Sequence, residues 1–99
     1  MVVISYAIIR DFIDENSQAK DVMNNWYRTA EKADWSNFHE IKTMFSNSVD
    51  AIGNDRFVFN VGGGNYRIIA LIFFDVRTLY IRFVGWHAEY DKLKNASTI

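Results

Sequence analysis

The stretch RFVFNVGGGNYRIIALIFFDVRTLYIRFV, residues 56–84, decides the fold because its apolar side chains follow the two-residue period of β-strands. The glycines at 62–64 separate its first two apolar runs, and glycine reaches the positive φ angles of a tight turn without steric cost. The segment DVRT, residues 75–78, separates the second run from the third. This part of the chain is therefore predicted to form a three-stranded antiparallel meander.

The residues before this stretch have helical periodicity. The segment NSQAKDVMNNWYRTAEKA, residues 16–33, repeats apolar side chains at helical spacing and offers Ser17 as an N-cap. The segment DWSNFHEIKTMF, residues 34–45, predicts a second helix with Asp34 or Ser36 as its cap. The apolar stripes of both helices can be covered by one face of the meander.

Two shorter segments complete the predicted order of elements. The segment VVIS, residues 2–5, indicates a short strand, and Ser5 can cap a brief helix through Phe12 and Ile13. The segment SNSVDAIGND, residues 46–55, is predicted to be a polar connector. The order is β-α-α-β-β-β with a short C-terminal helical tail, which is an α+β fold with its helices packed on one sheet face.

Length and composition bound the possible functions. The chain of 99 residues is predicted to be one domain, 1–99, in which residues 95–99 are expected to be a flexible tail. The lack of cysteine excludes disulfides, thiolate nucleophiles and cysteine zinc sites. The start of the chain has neither a basic flank nor a long apolar run, so we expect a cytoplasmic protein without a membrane span.

Charge is distributed unevenly along the chain. The net charge of −1 and the pI of about 6.0 argue against general affinity for nucleic acids. Residues 1–55 carry five Lys/Arg and nine Asp/Glu, a charge of −4, whereas residues 56–99 carry six and three, a charge of +3. The chain is thus acidic in one half and basic in the other, although chance alone often produces an excess of this size.

Alternation assigns the side chains of the meander to two faces. Four-residue turns would pair Asn60 with Arg67, Leu71 with Arg82 and Ile69 with Val84. The first face is apolar and should cover the helices; it comprises Phe57, Phe59, Val61, Tyr66, Ile68, Ala70, Ile72, Phe74, Leu79, Ile81 and Phe83. The second face is mixed; it comprises Arg56, Val58, Asn60, Arg67, Ile69, Leu71, Phe73, Tyr80, Arg82 and Val84.

Three arginines therefore share the second face with no acidic residue among them. The guanidinium groups of Arg56, Arg67 and Arg82 match phosphate oxygens bidentately. Aromatic side chains such as Tyr80 offer a surface on which bases can stack. A phosphate site and a docking surface for an acidic protein are equally compatible with this pattern, and an ordinary solvated sheet face is the simpler alternative.

The segment GWHAEYD, residues 85–91, adds a proton carrier at the rim of the second face, where Trp86 and His87 are expected. If this segment is helical, Tyr90 and Asp91 share a face with His87, so Asp91 can orient the imidazole and Tyr90 can donate from its phenol. A surface histidine at a C-terminal turn is the alternative. The two histidines of the chain lack the spacing of metal ligands, so neither a metal site nor a cofactor is predicted.

Arginines beside a proton carrier suit a reaction on RNA. RNA supplies its own nucleophile, the 2′-OH, so the protein has to take that proton, neutralise the scissile phosphate and protonate the leaving 5′-oxygen. The expected products are a 2′,3′-cyclic phosphate and a 5′-hydroxyl.

The chain also resembles a known family. The stretch RFVFNVGGGNYRIIALIFFDVRTLYIRFVGWHAEYDKL, residues 56–93, resembles the C-terminal half of HigB-type toxins, which are mRNA interferases of the RelE/ParE superfamily from type II toxin–antitoxin systems. The likeness extends over about residues 1–93 and is most specific in VFNV, NYRIIA, YIRFVG and HAEYD. It implies a compact RelE-like fold, cleavage of mRNA on the translating ribosome, and a cognate helix-turn-helix antitoxin.

The resemblance assigns catalytic roles to Arg67, Arg82, His87 and Tyr90. The residues expected to contact RNA around them are Arg56, Asn60, Tyr80 and Trp86. Two other functions stay open at this point. One is a ParE-like toxin that acts on a protein target, and the other is a non-catalytic protein-binding module of the same fold.

Overall fold

The computed structural model describes residues 1–99 and has the predicted α+β fold. Its strands are β1 (Val2–Ile4), β2 (Val49–Gly53), β3 (Arg56–Val61), β4 (Tyr66–Phe73) and β5 (Thr78–Trp86). Its helices are α1 (Tyr6–Glu15), α2 (Lys20–Lys32), α3 (Phe38–Phe45) and α4 (His87–Asp91). None of these helices is both long enough and apolar enough to cross a membrane.

The strands form one mixed sheet in the order β1-β5-β4-β3-β2. β3, β4 and β5 are the predicted antiparallel meander, and β1 joins β5 in parallel. The predicted connector at 46–55 is wrong for Val49–Gly53, which pair with β3 as an edge strand, so the exact order of elements also differs from the prediction. The polar and small residues of this edge strand, and its register shift between Ala51 and Gly53, mask the alternation in the sequence.

The helix starts differ from those predicted. α2 begins after a 3₁₀ turn at Ser17–Ala19, and the side chain of Ser17 makes no capping bond. α3 is capped by Asn37, whose Oδ1 accepts from the backbone N–H of Glu40 at 3.0 Å, and not by Asp34 or Ser36. The segment after β1 is a helix of ten residues, α1, but the Ser5 side chain makes no capping bond there.

The first sheet face and helices α1–α3 enclose the core, as the apolar pattern predicts. Phe59 on β3 is fully buried, with ring centroids 5.2 Å from Trp26 of α2 and 5.1 Å from Phe45 of α3. Burying each such aromatic side chain contributes about 2–3 kcal/mol. This packed face leaves the second face as the one on which a site can be built.

The register between β3 and β4 is as predicted, since Asn60 pairs with Arg67. The register between β4 and β5 differs from the prediction, because Leu71 pairs with Tyr80 and not with Arg82. The turn occupies residues 74–77 instead of 75–78, with Arg77 in the left-handed region at φ 49°. A shift of this kind preserves the alternation, so Tyr80 and Arg82 still belong to the second face.

A β-bulge at Arg82 then reverses the faces beyond it. Ala70 pairs with Ile81 and Ile69 with Phe83, so Arg82 has no partner on β4. The assignment of Phe83 to the first face and of Val84 to the second is therefore wrong, because the extra residue moves every later side chain across the sheet. The bulge keeps Arg82 exposed and carries the next aromatic residue to the arginine face.

Candidate functional site

Arg67 is held where β4 leaves the glycine turn. Its Nη1 donates to the carbonyl oxygens of Gly64 at 2.6 Å and Tyr66 at 3.1 Å, and its Nη2 lies 3.2 Å from Nδ1 of His87. No carboxylate pairs with this guanidinium. The contacts fix the plane of the guanidinium and leave its positive charge uncompensated, as an anion site requires.

His87 begins α4, which confirms that the HAEYD segment is helical. Its backbone N–H donates to the carbonyl oxygen of Asn65 at 2.9 Å, and its Nδ1 lies 3.3 Å from Oδ2 of Asp91. Nδ1 can accept from Arg67 only when it is unprotonated, and it can donate to Asp91 only when it is protonated. The imidazole therefore has a partner in either state, while Nε2 has no protein hydrogen bond and is available to a substrate.

The junction between β5 and α4 fixes this helix on the second face. Glu89 Oε1 accepts from the backbone N–H of Trp86 at 2.9 Å. Gly85, which pairs with Arg67, is required because a Cβ there would lie 2.6 Å from Cζ of Phe83. The ring of Phe83 therefore covers Gly85, which is buried.

Tyr90 stands on α4 three residues after His87. Its ring centroid is 6.5 Å from that of Phe83, at an interplanar angle of 55°. Its hydroxyl makes no hydrogen bond within the protein, so it is available as a donor. The bulge at Arg82 is what places Phe83 against Tyr90, and sequence alternation could not predict this contact.

Arg82 lies on the same face as Arg67 but in a second cluster. Its Nε donates to the main-chain oxygen of Ile99 at 3.2 Å, and Nη2 of Arg56 donates to the same atom at 2.8 Å. Arg67 pairs with Gly85, three residues from Arg82 on β5, which separates the two arginines by about 10 Å along the strand. The predicted arginine face therefore consists of an Arg67–His87 cluster and an Arg56–Arg82 pair.

The predicted RNA contacts Asn60 and Tyr80 lie at different distances from the Arg67–His87 cluster. Asn60 is the cross-strand neighbour of Arg67, and it also lines a groove of about 610 Å³ between α2, α3 and the glycine turn. Tyr80 pairs with Leu71 towards the other end of the face, where its ring lies 6.1 Å from that of Phe73. Only Asn60 of these residues belongs to the surroundings of Arg67.

Trp86 is not at the rim of the arginine face, where it was expected. The bulge turns it to the first face, with its ring centroid 4.8 Å from that of Tyr66. Its indole N–H donates to Oδ1 of Asn16 at 3.0 Å. Trp86 therefore anchors the end of β5 to the segment between α1 and α2.

Sequence reasoning missed two groups of partners. The carbonyl oxygens of Gly64 and Asn65 hold Arg67 and His87, and only the nearness of the glycine turn to NYR could have indicated this. Nothing in the sequence indicated that the last residues of the chain contact Arg56 and Arg82. The structure contains no group of three or more His, Cys, Asp or Glu side chains that could hold a metal ion.

Two side chains with shifted pKa values lie on the helices that cover the first face. Partial burial, followed by the hydrogen bond and charge of Glu31, raises the pKa of the Tyr27 phenol. Hydrogen bonds from the side chain and backbone of Ser36 lower the pKa of the exposed Glu40 carboxyl. Both shifts concern helix α2 or α3 and not the arginine face.

Comparisons with known proteins point to one family. A family model described as HigB_toxin, RelE-like toxic component of a toxin-antitoxin system, matches residues 19–93. The chain is 36% identical over 72 residues to a protein of Escherichia coli O6:H1 named mRNA interferase HigB, covering 72% of this chain and 70% of that protein. It is 31% identical over 93 residues to the mRNA interferase toxin HigB of Escherichia coli K12 and to the mRNA interferase HigB of Shigella flexneri, covering 92% of this chain and 88% of each relative.

Proposed function

The chain belongs to the HigB family of RelE-like toxins from toxin–antitoxin systems, and on that basis we propose that it is an endoribonuclease that cleaves mRNA. The observation that carries the proposal is the direct contact between Arg67 and His87, whose Nη2 and Nδ1 atoms are 3.2 Å apart. This cluster combines an uncompensated cation for a phosphate with a group that transfers protons near neutral pH. The names of the relatives, mRNA interferases, support the same substrate.

The reaction uses the 2′-OH of the RNA as its nucleophile. A base takes the 2′ proton while the 2′-oxygen forms a bond to the adjacent phosphorus. The bond from phosphorus to the 5′-oxygen then breaks, and an acid protonates that oxygen. One product ends in a 2′,3′-cyclic phosphate and the other begins with a 5′-hydroxyl, so the mechanism needs only charge stabilisation and two proton transfers.

Arg67 binds the scissile phosphate and stabilises the charge that develops on its non-bridging oxygens. Its fork-shaped guanidinium is already oriented by the carbonyl oxygens of Gly64 and Tyr66, which lowers the cost of ordering it when RNA binds. The same contacts keep Nδ1 of His87 beside Arg67 and Asp91, so the imidazole stays next to the phosphate that Arg67 binds.

His87 and Tyr90 carry the two protons. Nε2 of His87 and the hydroxyl of Tyr90 are the groups of this cluster that have no protein hydrogen-bond partner. A general acid or base of this kind contributes about 100-fold to 10⁴-fold to the rate. Asp91 orients the imidazole through Nδ1, the nitrogen that Arg67 also contacts.

The remaining residues of the second face hold the RNA around the scissile phosphate. Because Arg82 is about 10 Å from Arg67 along the strand, it binds a neighbouring phosphate together with Arg56. Asn60, the cross-strand neighbour of Arg67, contacts the adjacent nucleotide in this proposal, and Tyr80 provides a stacking surface further along the face. Trp86 has a structural role in this proposal, since it faces the core.

The family also suggests the setting in which the protein acts. We place the reaction in the cytoplasm, on mRNA in the translating ribosome, without a metal ion or an organic cofactor. A cognate helix-turn-helix antitoxin neutralises the toxin. The acidic first half of the chain, with a charge of −4, is the part that such a partner can bind without entering the arginine face.

The test is mapping of 5′ ends in cellular RNA after brief induction of the wild type, Arg67→Ala and Arg82→Ala. We expect new 5′-hydroxyl ends within coding regions for the wild type and none for Arg67→Ala, with the variants folded to the same extent by circular dichroism. Growth arrest without new RNA ends would favour a ParE-like protein target. Absence of arrest with a folded wild type would favour a non-catalytic binding module.

A further inference from the structure

The C-terminal segment, residues 95–99, lies against the Arg56–Arg82 pair. Nε and Nη2 of Arg56 lie 3.3 and 2.8 Å from the main-chain oxygen of Ile99, and Nε of Arg82 lies 3.2 Å from the same atom. Three guanidinium N–H groups from two strands, β3 and β5, therefore converge on one acceptor atom. Guanidinium groups that converge in this way suit an anion such as a phosphate.

Neither of these arginines has an Asp or Glu partner. The ion pairs of the structure involve Arg10 with Asp11, Arg77 with Asp34, and His87 with Asp91. A phosphate accepts through several charged oxygens, and the fork of a guanidinium group matches two of them at once. The Arg56–Arg82 pair can therefore bind a phosphate in place of the Ile99 oxygen that it now contacts.

We infer that Arg56 and Arg82 form a second phosphate site for the RNA backbone, and that the C-terminal segment covers this site until RNA displaces it. The inference rests on the proposed ribonuclease function. It adds an autoinhibitory contact within the chain, because an RNA that spans the Arg67–His87 cluster and this site has to compete with residues 95–99.

The covering segment is attached by few contacts. Apart from the arginine bonds, Nδ2 of Asn54 donates to the carbonyl oxygen of Ser97 at 3.0 Å. Residues 95–99 are exposed or half-buried, and none of them belongs to the main core. They follow α4 after a short link, so they remain tethered near the site and compete at a high effective concentration even when displaced.

The competition has a measurable consequence. The observed RNA affinity is the affinity of the open site multiplied by the fraction of molecules in which the site is open. Loosening the cover raises that fraction and therefore the observed affinity. Asn54 allows a mild change of this kind, because it adopts φ 53°, which glycine also adopts without strain. Asn54→Gly removes the bond to Ser97 and keeps the main-chain oxygen that accepts from Nη1 of Arg56 at 3.0 Å.

The experiment measures binding of a fluorescent 2′-deoxy oligonucleotide, which cannot be cleaved because it lacks the 2′-OH. The variants are a chain without residues 95–99, Asn54→Gly, and Asn47→Gly as a control at an exposed asparagine that makes no side-chain hydrogen bond. We expect the first two to bind about threefold to tenfold more tightly than the wild type and the control to bind equally. Adding Arg56→Gln to the shortened chain should cancel its gain.

Unchanged or weaker binding by both folded variants would overturn the inference. Two variants are needed because Val58 and Ile69, which are 4% and 0% exposed on the second face, can lose cover when the segment is deleted. If no variant binds the oligonucleotide, the proposed function fails. A titration with inorganic phosphate then tests the further inference separately. The Nε–H NMR signals of Arg56 and Arg82 should then saturate at lower phosphate concentration in the shortened chain, and identical titrations would contradict a covered site.

Discussion

The guanidinium of Arg67 lies 3.2 Å from Nδ1 of His87, so the two groups to which the proposed reaction assigns the main roles contact each other directly. They come from different elements, β4 and α4, and are brought together by the hydrogen bond from the His87 backbone to Asn65. Asp91 approaches the same nitrogen at 3.3 Å. Nδ1 of the imidazole thus contacts both a cation and an anion, and small movements of Arg67 change its hydrogen bonding.

Replacing Arg67 by lysine should separate charge from geometry. Arg67→Lys keeps the positive charge but loses the planar fork that contacts Gly64, Tyr66 and His87. We expect the single-turnover cleavage rate to fall by about 100-fold to 1000-fold, as on loss of an electrostatic stabiliser of the transition state. Arg10→Lys, at an exposed surface pair, is the matched control and should cleave like the wild type; equal rates for both variants would contradict this role of Arg67.

Replacing His87 should remove a proton transfer without unfolding the protein. The side chain is 56% exposed, so His87→Gln leaves the core unchanged, and the cleavage rate should fall by about 100-fold or more. His39→Gln, at the other, exposed histidine, should have no effect. Asp91→Asn should cost less than the loss of His87, because Asp91 only orients the ring. The measurement is the pre-steady-state rate on an RNA oligonucleotide across a range of pH values.

Removing the Tyr90 hydroxyl should affect chemistry and not stability. The ring packs against Phe83 at 6.5 Å, whereas the hydroxyl has no protein partner, so Tyr90→Phe keeps the packing. We expect cleavage to fall by about 100-fold if this group transfers a proton, with the unfolding midpoint in urea unchanged. Tyr80→Phe is the control, because its ring can still stack on Phe73 and on a base. Wild-type cleavage by Tyr90→Phe would assign the second proton to another group.

Replacing Trp86 should affect stability more than RNA binding. Trp86→Phe loses the hydrogen bond to Asn16 and leaves a space beside Tyr66, which should lower the free energy of unfolding by about 1–3 kcal/mol. Urea unfolding measures this change, and a double-mutant cycle with Asn16→Ala isolates the hydrogen bond. Loss of RNA affinity without loss of stability would instead support the original expectation that Trp86 contacts RNA.

The hydrogen bonds that lower the pKa of Glu40 provide a pH-dependent test of the fold. A carboxyl whose pKa is lower in the folded state adds stability above its unfolded pKa, and this contribution is lost as the pH falls through the folded pKa. Ser36→Ala removes the side-chain donor, so the pKa of Glu40 should rise towards its ordinary value. NMR titration of the carboxyl carbon measures the shift, and a titration identical to that of the wild type would exclude this bond as the cause.

Much of the fold could be predicted because it follows from local periodicity. The alternation in residues 56–84 identified the meander and its apolar face, and the even-numbered glycine turn gave the pairing of Asn60 with Arg67. The strand Val49–Gly53 could not be predicted in this way, since an edge strand with polar residues has no clear alternation. Asn37 is the cap of α3, although Asp34 and Ser36 are also residue types that cap helices. Only the position of the first helical turn distinguishes the three, and local periodicity does not fix that position.

The sequence by itself determined that Arg56, Arg67 and Arg82 share a face, because alternation along paired strands depends only on the parity of the turns. It also placed His87, Tyr90 and Asp91 on one short helix. The tertiary structure decided the rest: the bulge at Arg82 moved Phe83 and Trp86 to opposite faces, and the C-terminal segment came to lie on Arg56 and Arg82. These features depend on contacts between distant parts of the chain, and no local pattern of residues records such contacts.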